Sequence, residues 1–255
     1  MKKKILALAI AAIMVVTAVA SVSLAYLQDT DYDQNVMTVG NVYIDQIEQQ
    51  RKEDGSLEEF EDNKKLLPAT TDPKWTTNEA EKITVGEVTY KTFGPEFNPV
   101  DKIVTVKNTG SEDAYVRTLM AFENNAGKIS DLIHINWNDD VWTLEILASG
   151  IEINDKPYDL LVFTYNSILK KDEITAPSLL QIWLDKTADN EDMAALADGY
   201  EILVLSQAVQ AAGWQTVDSS VVKTADLALD TAFGAITAEN AATIAQWFVD
   251  NALMN

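Results

Sequence analysis

"DKIVTVKNTGSEDAYVRTLMAFE", Asp101–Glu123, is the stretch that decides the fold. Two runs rich in β-branched and aromatic residues, Ile103–Lys107 and Tyr115–Phe122, flank "NTGSEDA". The Asn, Gly, Ser and Asp of that connection supply turn conformations, so the unit reads as an antiparallel strand pair. Working outward, "NVMTVGNVYIDQI" (Asn35–Ile47) alternates with apolar residues on both sides, as a strand buried on two faces does. "ITVGEVTYKTF" (Ile83–Phe93) reads as another strand whose glycine marks a bulge. Further strands are expected at Ile133–Trp137, Trp142–Leu147, Leu160–Tyr165, Leu179–Leu184 and Tyr200–Val209. That many short strands with polar connections predicts an antiparallel β-sandwich.

The C-terminal end changes character. "VVKTADLALDTAFG" is alanine-rich and stops at Gly234, and Thr237 stands where a cap is expected before "AENAATIAQWFVDNAL". In the second segment Ile244, Trp247 and Phe248 share one helical face. Two short helices are expected over 221–253, packed on the sandwich. "NEDMAALAD" (Asn190–Asp198) adds a helical turn in a loop. The charged stretch Glu48–Lys65, with Gly55 in its middle, reads as a solvated excursion within an insertion at 48–82.

At the other end, Lys2–Lys4 precede an apolar stretch from Ile5 to Val22, and "SLA" puts Ser23 and Ala25 at the small-residue positions a signal peptidase reads. Residues 1–25 are therefore expected to be a signal peptide, with cleavage leaving Tyr26 as the new terminus. A membrane span is the competing reading, because eighteen residues just suffice. Residues 26–47 then form a leading segment and first strand, and 48–255 the sandwich domain.

Composition limits the chemistry. Forty acidic against 19 basic side chains give a net charge of −21, which repels nucleic acid and anionic lipid. Nucleic acid is not expected as a partner, nor a membrane except through an uncleaved leader. With no cysteine there are no disulfides or thiolate sites. The single histidine, His134, alternates with Ile133 and Ile135 as a strand residue does, and a His-x-x-x-His zinc site is impossible. Trp75, Trp137, Trp142 and Trp183 suit a sugar-binding face or, more often, a core. Asp29, Asp31 and Asp33 resemble the opening of a calcium loop, but Gln34 and Gly40 stand where glycine and a bidentate glutamate are needed. "DKTADNED" (Asp185–Asp192) is acidic and reads as a solvated loop. "LPATT" (Leu67–Thr71) resembles a sortase signal but lacks the glycine and the apolar tail. No enzyme activity, cofactor or metal is expected.

The "AYLQDTD" junction, "TVGNVYID" and "VTVKNTGSEDAYVRTLMAFE" together resemble the TasA/camelysin (CalY) family. The resemblance is specific there, looser over 48–100 and 124–199, and extends to "YEILVLSQAVQAAGW". It implies a protein exported by a Gram-positive bacterium, released by a SipW-type signal peptidase, folded as a jelly-roll-like sandwich and assembled into biofilm matrix fibres. Camelysins have been described as metalloproteases, but this chain lacks the histidines for that chemistry. The implied assembly is donor-strand complementation: the arm freed at Tyr26 adds to a neighbour's sheet edge, with Tyr26, Leu27, Tyr32 and Val36 filling pockets and the aspartates facing solvent. The expected partner is the chain itself, with an accessory matrix protein left open. The alternative is a monomeric cell-surface adhesin or carbohydrate-binding module on the same sandwich.

Overall fold

In the computed structural model, the described residues are 36–60, 66, 70–71, 81–93, 99–124, 129–196 and 199–252. They form two packed, largely antiparallel sheets with helices on one outer face, a β-sandwich of the class the strand pattern predicts. One sheet has the order β1 (Val36–Val39), β13 (Ile202–Gln210), β8 (Ala114–Glu123), β11 (Lys156–Tyr165), β10 (Trp142–Ile153). The second runs β3 (Leu57–Glu59), β2 (Ile44–Arg51), β7 (Val100–Asn108), β12 (Leu179–Asp185), β4 (Thr70–Thr71), with β9 (Ile133–Trp137) also paired to β12.

Period-two alternation explains why β8 is buried along its whole length. Val116, Met120 and Phe122 point into the inter-sheet core with Val104, Val106, Leu179 and Ile182. Leu119 and Ala121 point the other way, onto the helix Ala241–Ala252, through Ile244 and Phe248. Tyr115 on that same outer face meets Ala225, Ala228 and Leu229 of the helix Val221–Phe233. With α1 at Ile129–Leu132 and α2 at Asn190–Ala195, these two are α3 and α4. The helices thus cover the outer face of the first sheet. On the far side of the molecule the hairpin β5 (Glu81–Val85) and β6 (Val88–Thr92) covers the second sheet, packing Ile83 and Val85 on Ile103 and Leu180.

Several expectations are corrected. β7 and β8 do not pair: β7 bonds β2 and β12, β8 bonds β11 and β13, and "NTGSEDA" arches from one sheet to the other. The arch is tied down by Asn108, which donates to Glu112 O and Leu169 O and accepts from the Gly110 N–H. The Thr109 and Gly110 N–H groups both donate to Tyr43 O, at 2.9 and 3.0 Å. A Cβ on Gly110 would lie 2.6 Å from Tyr43 N, so only glycine lets the two backbones approach this closely. Asn35–Ile47 is not one strand. The chain turns at Gly40 (φ 92°) and carries β1 in the first sheet and β2 in the second. Ile83–Phe93 is a hairpin turning at Gly86–Glu87, not a bulged strand. Glu48–Lys65 is only partly an excursion, since β2 and β3 pair across the Gly55 turn. Thr237 precedes the 3₁₀ turn Ala238–Asn240 without a side-chain cap bond.

Candidate functional site

Of the residues expected to carry function, Ser23, Ala25, Tyr26, Leu27 and Tyr32 lie outside the described residues, as do Trp75 and the aspartates at 29, 31 and 33. Val36 is described. It opens β1, is 2% exposed, and packs in the core of its own domain. β1 pairs with β13 in parallel, Val36 opposite Ser206 through Val39 opposite Val209, in a sheet whose other pairings are antiparallel. Val36 and Thr38 face the second sheet while Met37 and Val39 lie under the helices, so both faces are covered, as the alternation predicts. Its outer edge has no strand partner among the described residues.

The two ends of the sandwich differ. At the β1 end, the inter-sheet space is closed, and polar groups join the apolar ones there: Ser206 Oγ donates to Gln46 Oε1 at 2.8 Å and lies 3.1 Å from Thr118 Oγ1. Lys102 reaches Glu48 and sits 4.3 Å over the Phe60 ring. At the other end, β10 and β9 are both edge strands among the described residues. Between them opens an apolar cleft of about 430 Å³ whose lining includes Ile133, Ile135, Trp137, Leu144, Ile146 and Leu161. Of these, Trp137 packs edge-on against the buried Phe163. Ile146 is 75% exposed, more than any other large apolar side chain described.

Polar groups edge this cleft on one side. Asp131, Asp159 and Ser149 line it; Asp159 Oδ1 accepts from Ser149 Oγ at 2.6 Å and Asn124 Nδ2 at 2.8 Å. Nearby, Lys156 bridges Glu123 and Glu201. Partial desolvation lowers the Lys156 ammonium, but the two carboxylates outweigh it and hold the group above the ordinary lysine value.

His134 faces away from the cleft's apolar side and meets Asp185 Oδ2 at 2.9 Å, with its ring 5.7 Å from Trp183. Asp185 also accepts from the Thr187 hydroxyl (2.7 Å) and N–H (2.8 Å). Those two bonds, and then His134, hold its carboxyl down at about 2. The order is hydroxyl, carboxylate, imidazole. In a nucleophile relay the imidazole must lie between the other two, so this arrangement does not activate Thr187. The acidic Asp185–Asp192 segment is likewise occupied locally: Asp189 and Asp192 form a capping box on α2. Among the described residues no group of three or more His, Asp or Glu is placed to hold a metal. Trp142 is core, its Nε1 donating to Ala176 O, and Trp183 stacks edge-on with Phe93.

An open, polar depression of about 710 Å³ lies at the opposite sheet edge, lined by residues from Gln50 to Gly55 and Pro99 to Asp101. Its one arginine is already engaged. Arg51 makes a two-pronged contact with Asp101 (2.9 and 3.1 Å) and donates to Thr92 Oγ1 and Phe93 O. These bonds, with Gln181 reaching Phe93 N and O, fasten the β5–β6 end to the second sheet.

Two features were missed by sequence reasoning. The cleft is made by strands far apart in the chain, and its only local sign is the alternation of "IHINW" and "WTLEI". The other is Arg117, whose charge in the apolar run "AYVRTLMAF" is itself the signal of a buried partner. No family model, curated protein or solved structure matches this chain.

Proposed function

We propose that this chain is a secreted structural protein that assembles head to tail into extracellular, biofilm-matrix fibres by donor-strand complementation after its leader is cleaved. The reading rests on the leader-like N-terminus and on the resemblance to the TasA/camelysin family. The observation that carries it is the position of β1: Val36, the residue that follows Tyr26–Asn35 in the sequence, opens a strand with no partner on its outer side among the described residues, so the arm joins the domain at the rim of a sheet. Because Val36 is committed to its own core, the donated arm is Tyr26–Asn35. A SipW-type peptidase is the processing partner and a second copy of the chain the assembly partner, outside the cell or at its surface. The protein has no catalytic role in this reading.

Electron microscopy of the mature chain beginning at Tyr26, beside a form lacking 26–35, tests it. Fibres from the first and single particles from the second are expected. Fibres persisting unchanged without the arm would overturn the proposal. The adhesin alternative draws on Trp137 in the cleft, since an aromatic face in a groove suits sugar stacking. It predicts a mature chain that stays monomeric at high concentration and binds glycans.

A further inference from the structure

We propose that the β9–β10 cleft is the acceptor site, and that its occupant is residues Tyr26–Asn35 of a second copy; this rests on the donor-strand reading above. The cleft lies where both sheets end in strands unpaired on their outer side among the described residues. An added strand there gains backbone hydrogen bonds and apolar burial together. β10 itself narrows the location. Its register with β11 is regular over Trp142–Ile146 and then shifts between Ile146 and Ala148 and again before Ile151. Such irregularities discourage edge pairing. From Leu147 onward β10 also lies against α4. The straight part away from α4 is Trp142–Ile146, and it carries Leu144 and the exposed Ile146 into the cleft.

The chemistry of the cleft selects the occupant. Its polar rim offers carboxylates, Asp131 and Asp159, and no cation among the described residues. A strand running through Tyr26–Asn35 would alternate, with Tyr26, Gln28, Thr30, Tyr32 and Gln34 on one face. The other face would carry Leu27, Asp29, Asp31, Asp33 and Asn35. The first face is uncharged, brings two aromatic rings, and carries hydroxyl and amide donors that match carboxylate acceptors. The second would set three carboxylates against two more. Only the tyrosine face fits; the aspartates are left in solvent, and Leu27, expected to fill a pocket beside Tyr26, goes with them.

Geometry favours a neighbour over the chain's own arm. The arm ends at β1, which is the opposite edge of the sheet from β10, four strand spacings away or roughly 19 Å; crossing that distance would use about six of its residues, leaving too few to run along the cleft. Donor and acceptor are different patches on opposite edges. The contact is therefore heterologous and propagates as a filament rather than closing as a twofold dimer.

Three forms of the mature chain test this: the chain from Tyr26, the same chain with Ile146→Arg, and a form lacking 26–35. Ile146 is exposed, so the arginine variant is expected to melt as the parent does. Neither altered form should polymerise alone. Mixed, they should give one-to-one dimers by sedimentation, because the first keeps a donor and the second keeps an acceptor. A synthetic 26–35 peptide should bind the shortened chain and lose affinity about tenfold or more when Ile146→Arg is added to it. Fibres from the Ile146→Arg chain would overturn the acceptor assignment and leave the donor reading standing. Fibres from the shortened chain would remove the donor reading itself. A monomeric parent chain with its arm protected from protease would mean that the arm folds back on its own cleft, and overturns the proposal too.

Discussion

Replacing Arg117 by alanine is expected to loosen the join between the sandwich and its helices. Arg117 sits on the helix-facing side of β8 and is 2% exposed. Its guanidinium donates to Gln207 Oε1 at 2.7 Å, Asp230 Oδ1 at 2.6 Å and Gly234 O at 3.1 Å. One side chain thus binds the neighbouring strand, the body of α3 and the residue that ends it. Burial pushes its pKa down from the ordinary arginine value, opposed by the bond and charge of Asp230. Truncation leaves the buried Gln207 amide oxygen without its donor and Asp230 without its cation. Arg117 is buried but the Asp230 side chain is 38% exposed, so the cost falls short of that of a fully buried pair, at about 2–3 kcal/mol. For a domain of this size each kcal/mol moves Tm by about 2–4 °C, so a fall of roughly 5–10 °C is expected. Urea unfolding followed by tryptophan fluorescence gives the free energy directly. The double replacement Arg117→Met with Gln207→Leu should recover much of the loss, because apolar groups of similar size often replace buried ionic ones without penalty. A cost below about 1 kcal/mol for Arg117→Ala, the range of an exposed pair, would refute the buried, three-way contact.

Four further outcomes follow from single groups. Thr105→Val on β7 should stabilise the fold by about 1 kcal/mol in urea titration, because the buried Thr105 hydroxyl has no hydrogen-bond partner among the described residues. Gly110→Ala should cost about 1–3 kcal/mol by the same measurement, since its Cβ meets backbone that cannot yield. Tyr158 and Tyr200 are both 1% exposed, and burial first, then nearby carboxylates, raises their pKa values. Their contribution is whole below the unfolded value near 10 and is lost as pH rises above it, at about 1.4 kcal/mol per pH unit for each; absorbance at alkaline pH should show their ionisation coinciding with unfolding. Asp226 has its pKa raised by burial and then by Glu145 and Asp230, against the bond from Thr164, so its ionised form weighs against the fold. Asp226→Asn should raise Tm at pH 7 and make no difference near pH 3, where the carboxyl is protonated in both states.

Strand content was legible in the sequence because β9, β11, β12 and β13 alternate or run apolar over their own length. The two-faced burial expected along Asn35–Ile47 holds over Val36–Val39 for the same reason. Pairing was not. "NTGSEDA" has the residues of a tight turn, but an arch between sheets uses the same residues, and the difference lies in partners such as Val106 with Gln46 and Leu119 with Leu205. Gly40 looked like one position in a strand, although its conformation divides two. Ile146 in "LEILASG" is indistinguishable from a core residue until the strand order makes β10 an edge. Arg117 and Asp230 are 113 positions apart, beyond the reach of any local pattern. The amphipathic faces of the C-terminal helices could be read, but not the sheet they cover.

The clamp of Thr109 and Gly110 on Tyr43 has a mechanical consequence. In a fibre built as proposed, a pull on the arm would enter the domain at Val36 and load the short ladder of β1 on β13 along its length. Gly40 is the pliable point behind it, and slack there would be taken up where two amides grip the Tyr43 oxygen. From there the strain runs into the root of β7, at the centre of the second sheet. The helices and the β5–β6 flap lie off that line, so a stretched filament should give way at its joints while they stay folded.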